Sequence, residues 1–193
     1  MQTLSRFADL VDGLNDRIGS VLRWLALGMV LIGAYNAIAR YFTRSVGVAL
    51  SSNALNELQW YLFSLIFLLG AAYGLRVDAH VRVDVLYQRV TDRTRAWIDL
   101  LGTVFFLLPF SALMLKVSWP VVKASWAVRE TSPDPGGLPR WPIKMVVLVS
   151  FALLMLQGLA YLIRQIEVLR GDSGGSEPTV GGAEPVPADS GAV

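Results

Sequence analysis

The chain of 193 residues is 54% hydrophobic and only 17% charged, with a net charge of +2, a balance too apolar for an ordinary soluble domain. Cysteine is absent and histidine occurs once, at His80, so disulfide frameworks, thiolate metal sites, iron–sulfur clusters and cysteine-attached haem have no ligands. The arginines are scattered and form no stripe that would grip nucleic acid. The expectation is an all-α integral membrane protein in contact with the lipid bilayer, with four transmembrane helices plus amphipathic interfacial helices, and with no cofactor.

Leu4, Phe7, Val11, Leu14, Ile18, Val21 and Leu25 recur at spacings of three and four, with Asp9, Asp12, Asp16 and Arg17 largely between them. That pattern predicts an amphipathic helix over residues 3–20, resting on the bilayer or stacked on the bundle, which leads into the first span at about 22–41. The uncharged part of this span, Trp24 to Ala39, has 16 residues, and Arg23 and Arg40 at its edges reach toward headgroups. The triplet Ala37-Ile38-Ala39 has the small-x-small form of a signal cleavage site, yet the region before it is long and carries three aspartates, so the segment is expected to be retained.

A short polar connection, Ser45 to Asn56, precedes the second span at about 57–76. Eighteen uncharged residues separate Glu57 from Arg76, roughly 27 Å of helix and close to a bilayer core. Glu57 lies in the opening turns, where the helix dipole favours a negative charge; it is either an interfacial carboxylate held by that dipole or a partner contact. Gly70 and Gly74 form a small-xxx-small pair on one face, which allows close backbone packing. Beyond the span, Arg76, Asp78, His80, Arg82 and Asp84 alternate with Val77, Ala79, Val81, Val83 and Val85, a period of two that gives an extended segment one packed and one polar side.

Thr91-Asp92 reads as a helix start, and the third span follows at about 96–118, with Pro109 in its middle predicting a kink. Trp119, Val122 and Trp126 then mark an interfacial helix with an aromatic anchor. Thr131 to Pro142 holds four prolines and two glycines and is expected to be a structured irregular loop. The fourth span lies at about 143–164, and residues 1–170 form one membrane domain. From 171 to 193 the composition turns to Gly, Pro, Ala and Ser with four acids and no basic residue, the signature of a disordered tail.

The run GAAYGLRVDAHVRVDVL, with Glu57 near the start of the same helix, resembles the small, DctQ-type membrane subunit of TRAP (tripartite ATP-independent periplasmic) transporters. PGGLPRWPIK followed by LLMLQGLAYLIRQI resembles the branch of that family named for mannitol or chloroaromatic compounds. Together these stretches cover Glu57 to Ile166. The resemblance implies secondary-active transport in the bacterial inner membrane. A large membrane subunit would carry the substrate and sodium sites and move them in an elevator-like fashion, and a periplasmic solute-binding protein would deliver an organic-acid-like solute. The chain itself would be the fixed scaffold. The other class open to the sequence is a membrane anchor or assembly subunit of an enzyme complex.

None of the four apolar cores contains Asp, Glu, Lys, Arg or His, whereas ion and proton pathways place such residues inside the bilayer. The chain is therefore expected to carry no transport site and not to be an enzyme; His80 has no nucleophile–base arrangement around it and reads as structural. Candidate subunit-interface residues are Glu57, Gly70, Gly74, Arg76, His80, Arg82 and Asp84. Candidate binding-protein contacts are Arg140 and Trp141, since arginine and tryptophan are favoured interface anchors; interfacial seating of Trp141, with Arg140 on lipid phosphate or Glu130, is the simpler alternative. Ten of the 17 Arg and Lys residues fall on the side of the termini, which predicts cytoplasmic termini. Single cysteines at Ser51 and Asp172 test this: an impermeant thiol reagent added outside should label position 51 and spare 172, and the reverse would invert the topology.

Overall fold

A computed structural model describes residues 2–46, 52–79 and 91–170. His80, Arg82, Asp84 and most of the alternating segment lie outside the described residues, as does the tail. Among the described residues the elements are α1 (Gln2–Val46), α2 (Asn53–Arg76), α3 (Asp92–Gly102), a π-helical turn (Thr103–Leu107), α4 (Leu108–Ala127) and α5 (Trp141–Arg170). Four helical stretches are long and apolar enough to cross a membrane, and the third joins α3, the π turn and α4 into one rod.

The amphipathic segment and the first span form a single helix of 45 residues, about 68 Å long. Nothing in the sequence interrupts it: the first proline of the chain is Pro109, and isolated glycines weaken a helix without ending it. α2 begins at a Ser52 cap, whose hydroxyl accepts from the Leu55 N–H, and it ends with Asp78 at φ 54° while Ala79 N–H returns to the Gly74 carbonyl at 2.9 Å. Such a left-handed residue closes the last turn and satisfies its carbonyls.

The third rod shows how the chain accommodates Pro109. Proline has no N–H to donate and its ring crowds the carbonyl of the preceding turn. The helix widens one turn earlier: Leu108 N–H bonds Thr103 O, five residues back, and Pro109 then falls in the first turn of α4. Trp119, Val122 and Trp126 continue in that same helix, so they belong to the end of the rod and not to a separate interfacial helix.

Cross-contacts give the topology. Gly19 meets Tyr73, Leu22 meets Gly70 and Gly33 meets Gln59, so α1 and α2 are antiparallel. Tyr161 bonds Asp99, Phe110 packs on Phe151 and Trp126 on Trp141, so the third rod and α5 are antiparallel as well. The bundle runs up-down-up-down, with Gln2 and Arg170 toward one end and the 128–140 loop at the other. α5 touches every other element and carries Ser150, Leu153, Leu154, Gln157, Gly158 and Ala160 as its buried face. Small residues there allow helix backbones to come close, the main source of packing where lipid supplies no hydrophobic contrast; Ser150 Oγ reaches the Leu68 carbonyl of α2 at 2.5 Å. Large apolar side chains such as Leu31, Phe63, Phe67, Phe105 and Phe106 point outward, toward lipid.

Close approach falls where the small-residue spacing gave no signal. A Cβ at Gly70 would stand 3.6 Å from Leu22 Cδ1, ordinary contact, whereas one at Gly19 would stand 2.4 Å from the Tyr73 ring. Gly28 has open space around it. Gly19→Ala should therefore lower the thermal stability of the detergent-solubilised chain by about 1–3 kcal/mol through overpacking, while Gly28→Ala should leave it unchanged or raise it. Equal effects of the two substitutions would show that α1 and α2 do not pack through Gly19.

Candidate functional site

Polar side chains gather at the two ends of the bundle. At the end holding Gln2 and Arg170, the inner face of α1 carries Ala8, Val11, Asp12 and Asn15, all buried. Ala8 and Val11 form a small core with Ala160, flanked by Ile163. This seam is turned by roughly a quarter of the helix circumference from the apolar stripe, so Leu4, Leu14 and Val21 of that stripe are exposed.

Gln157 of α5 is the centre of this end. Its Oε1 accepts from Asn15 Nδ2 at 2.7 Å, and its Nε2 donates to Asp12 Oδ1 at 2.9 Å. Asp12 also faces two guanidinium groups: Arg164 Nη2 donates to its Oδ2 at 3.2 Å, and Arg76 Nε stands 3.3 Å from its Oδ1 as an ion pair. Arg164 further bonds Asp9 at 2.6 Å, and Arg76 pairs with Asp16 at 3.6 Å. A buried carboxylate is tolerated only when paired and hydrogen-bonded, and Asp12 is served from α2 and α5 at once. Arg76, a candidate for subunit contact, is thus engaged within the chain.

At the other end, the Pro/Gly-rich loop is bound to the first turns of α2. Glu57 is 4% exposed; its carboxylate accepts from the Ser132 hydroxyl and from the Leu138 backbone N–H. Asn53 Nδ2 donates to the Pro135 carbonyl at 3.0 Å, and Tyr61 OH to the Pro139 carbonyl at 2.8 Å. The loop also has its own frame: Ser132 N–H bonds Leu138 O at 3.1 Å, Gly137 N–H bonds Asp134 O at 3.0 Å and Arg140 N–H bonds Glu130 O at 2.8 Å. Gly136 takes φ +73°, and a Cβ on Gly137 would stand 2.4 Å from Ser132 Cβ, so both glycines are required. Beside the loop, Asn56 Oδ1 accepts from Asn36 Nδ2 at 2.6 Å and from Arg40 Nη2 at 2.8 Å, tying α1 to α2.

Arg140 and Trp141 lie where the loop enters α5. Trp141 meets Trp126 edge to face at 4.5 Å, and the Arg129 guanidinium lies over both rings, at 5.4 and 5.3 Å from their centroids, a cation–π arrangement. Lys144 bonds Glu130. That bond and the nearby Lys144 and Arg140 charges hold the Glu130 carboxyl below its usual range.

Among the candidate residues, then, the structure brings Glu57 and Arg140 to one end and Arg76 to the other, with Gly70 and Gly74 on the α2 face between. Reading the sequence did not assign Asp12, Asn15, Gln157, Arg164, Ser132 or Arg129 to these clusters. The available signal was Gln157, a lone amide in an apolar run. Among the described residues no three His, Cys, Asp or Glu side chains group to hold a metal ion.

The sequence model for the DctQ component of tripartite ATP-independent periplasmic transporters matches residues 29–168. The chain is also similar to the C4-dicarboxylate TRAP transporter small permease protein DctQ of Pseudomonas aeruginosa, 32% identical over 117 residues, which are 58% of this chain and 53% of that relative. The chain thus spans about half the length of the curated relative it matches. No solved structure matches.

Asp12 and Gln157 should couple energetically. A double-mutant cycle with Asp12→Ala and Gln157→Ala, read by thermal unfolding in detergent, should give an interaction of about 0.5–3 kcal/mol. Strict additivity would mean that the amide and the carboxylate do not meet.

Proposed function

Given that the chain belongs to the DctQ-component family of tripartite ATP-independent periplasmic transporters, a family of transporter components and not of enzymes, we propose that it braces a large transport subunit for uptake of an organic-acid-like solute. The observation that supports this reading is where the polar groups lie. Asp12, Gln157, Arg76 and Arg164 at one end and Glu57, Asn56, Ser132 and Tyr61 at the other are used in contacts within the chain, and the four apolar cores hold no Asp, Glu, Lys, Arg or His. A subunit that moved solute or ions would instead hold ionisable groups facing a path through the bilayer. The outward apolar surfaces suit a fixed support bathed in lipid and set against a second membrane protein.

The partners in this reading are a large membrane subunit and a periplasmic solute-binding protein, with the chain in the bacterial inner membrane and both termini cytoplasmic. The 128–140 loop is then periplasmic, and Arg140 and Trp141, joined by the exposed Arg129, stand where a delivered binding protein arrives. Gly70, Gly74, His80, Arg82 and Asp84 remain candidates for contact with the large subunit, whereas Arg76 is taken up by Asp12 and Asp16. The name of the Pseudomonas relative concerns C4-dicarboxylates, which agrees with an organic acid as solute. The reading as an anchor for an enzyme complex has no observation in its favour.

Proteoliposomes decide the matter. The chain alone should accumulate no solute under a sodium or proton gradient, and gradient-driven uptake by it alone would overturn the scaffold reading. With the large subunit present, Arg140→Glu should raise the binding-protein concentration needed for half-maximal uptake while recovery of the membrane complex stays at the wild-type level; lost recovery would place Arg140 in subunit assembly instead.

A further inference from the structure

We infer that Glu57 is a positioning residue: its carboxylate fixes the 131–139 loop in the shape that a binding protein docks on, and it makes no contact with that partner. The inference rests on the docking reading above and adds the residue that sets the dock's geometry.

The loop's own backbone bonds, Ser132 N–H to Leu138 O, Gly137 N–H to Asp134 O and Arg140 N–H to Glu130 O, frame its turn but do not attach it to the bundle. Across residues 131–139 the regular pairing is a single bridge, Thr131 with Pro139, and three prolines in that stretch supply no N–H. What fixes this frame to α2 must come from side chains of that helix. Glu57 does so from both sides of the turn. One carboxylate oxygen accepts from the Ser132 hydroxyl on the outgoing limb and the other from the Leu138 N–H on the returning limb, so a single group of α2 holds the two limbs, already joined by Ser132 N–H to Leu138 O, to the bundle. Ser132 Oγ in turn accepts from Asp134 N–H at 3.2 Å, which passes the constraint to the tip. Asn53 and Tyr61 hold the Pro135 and Pro139 carbonyls from the same helix. At 4% exposure Glu57 is out of reach of a protein arriving from solution, whereas Pro133, Asp134, Pro135 and Gly136 are exposed above it.

The carboxylate is chemically specific for this task. It offers acceptors on both oxygens and can receive two donors that point at it from opposite limbs. Glutamine keeps the size but presents one acceptor and one NH2 group, so its oxygen serves the Leu138 N–H, the Ser132 hydroxyl has to turn and accept instead of donating, and both bonds lose their charge assistance.

The test uses the full chain alone and then the assembled complex. In the detergent-solubilised chain, Glu57→Gln should speed hydrogen–deuterium exchange at the Ser132 and Leu138 amides about tenfold, with α5 amides unchanged. In proteoliposomes holding the large subunit, it should raise the half-saturating concentration of binding protein about tenfold, with maximal uptake and complex recovery near wild type. Ser132→Ala and Tyr61→Phe, which each remove one tie, should shift both readouts in the same direction by less, and they carry the test if Glu57→Gln does not fold. Unchanged exchange would overturn the clamp. Faster exchange with unchanged half-saturation would overturn the positioning role while leaving docking at Arg140 standing. Wild-type uptake indifferent to binding protein would remove the docking reading itself, and this inference with it.

Discussion

The bundle depends on one side-chain amide. Gln157 lies in the most central helix, surrounded by apolar positions, and it has both a donor and an acceptor to satisfy. It meets that requirement through α1 alone, giving its N–H to Asp12 and accepting from Asn15. An unpaired amide at such a place is costly, so the rotation and height of α1 against α5 are fixed by the need to pair it. Asp12, once drawn in, needs positive charge, and the ends of α2 and α5 supply it through Arg76 and Arg164. Three helices are registered by a chain of requirements that starts at a single glutamine.

The same logic explains why α1 turns its small and polar seam inward while much of its apolar stripe faces out. In water the stripe would be the buried face. In a bilayer the apolar side needs no partner, and the inward side is chosen by polar satisfaction and close approach. Gly19 against Tyr73 and Asn36 against Asn56 lie on that seam, 17 residues apart along each of the two helices.

Much of the fold was legible because uninterrupted apolar runs bounded by charge have few solutions: the four membrane helices follow from them, and so does the structured character of the Pro/Gly loop. Other features were hidden for physical reasons. The donors to Glu57 lie 75 and 81 positions away and the partners of Gln157 lie 142 and 145 away, and no local period reports such distances. Pro109 announced a disturbance, yet the backbone had two ways to relieve it, bending or widening, and only the structure distinguishes them. The continuity of α1 followed from an absence of breakers that hydropathy alone divides into two segments.

Asn15 and Asn36, the α1 partners in the two end clusters, are 21 residues apart on one unbroken helix. That separation corresponds to about 32 Å, running from the charged part of α1 that holds Asp16, Arg17 and Arg23 into its apolar span. Because each asparagine is tied to a fixed residue on a neighbouring helix, the interval can be neither stretched nor slipped without undoing both ends. The chain is in effect a caliper whose jaws, the two end clusters, stand a set distance apart along one helix, so a shift of α1 at one end is felt at the other.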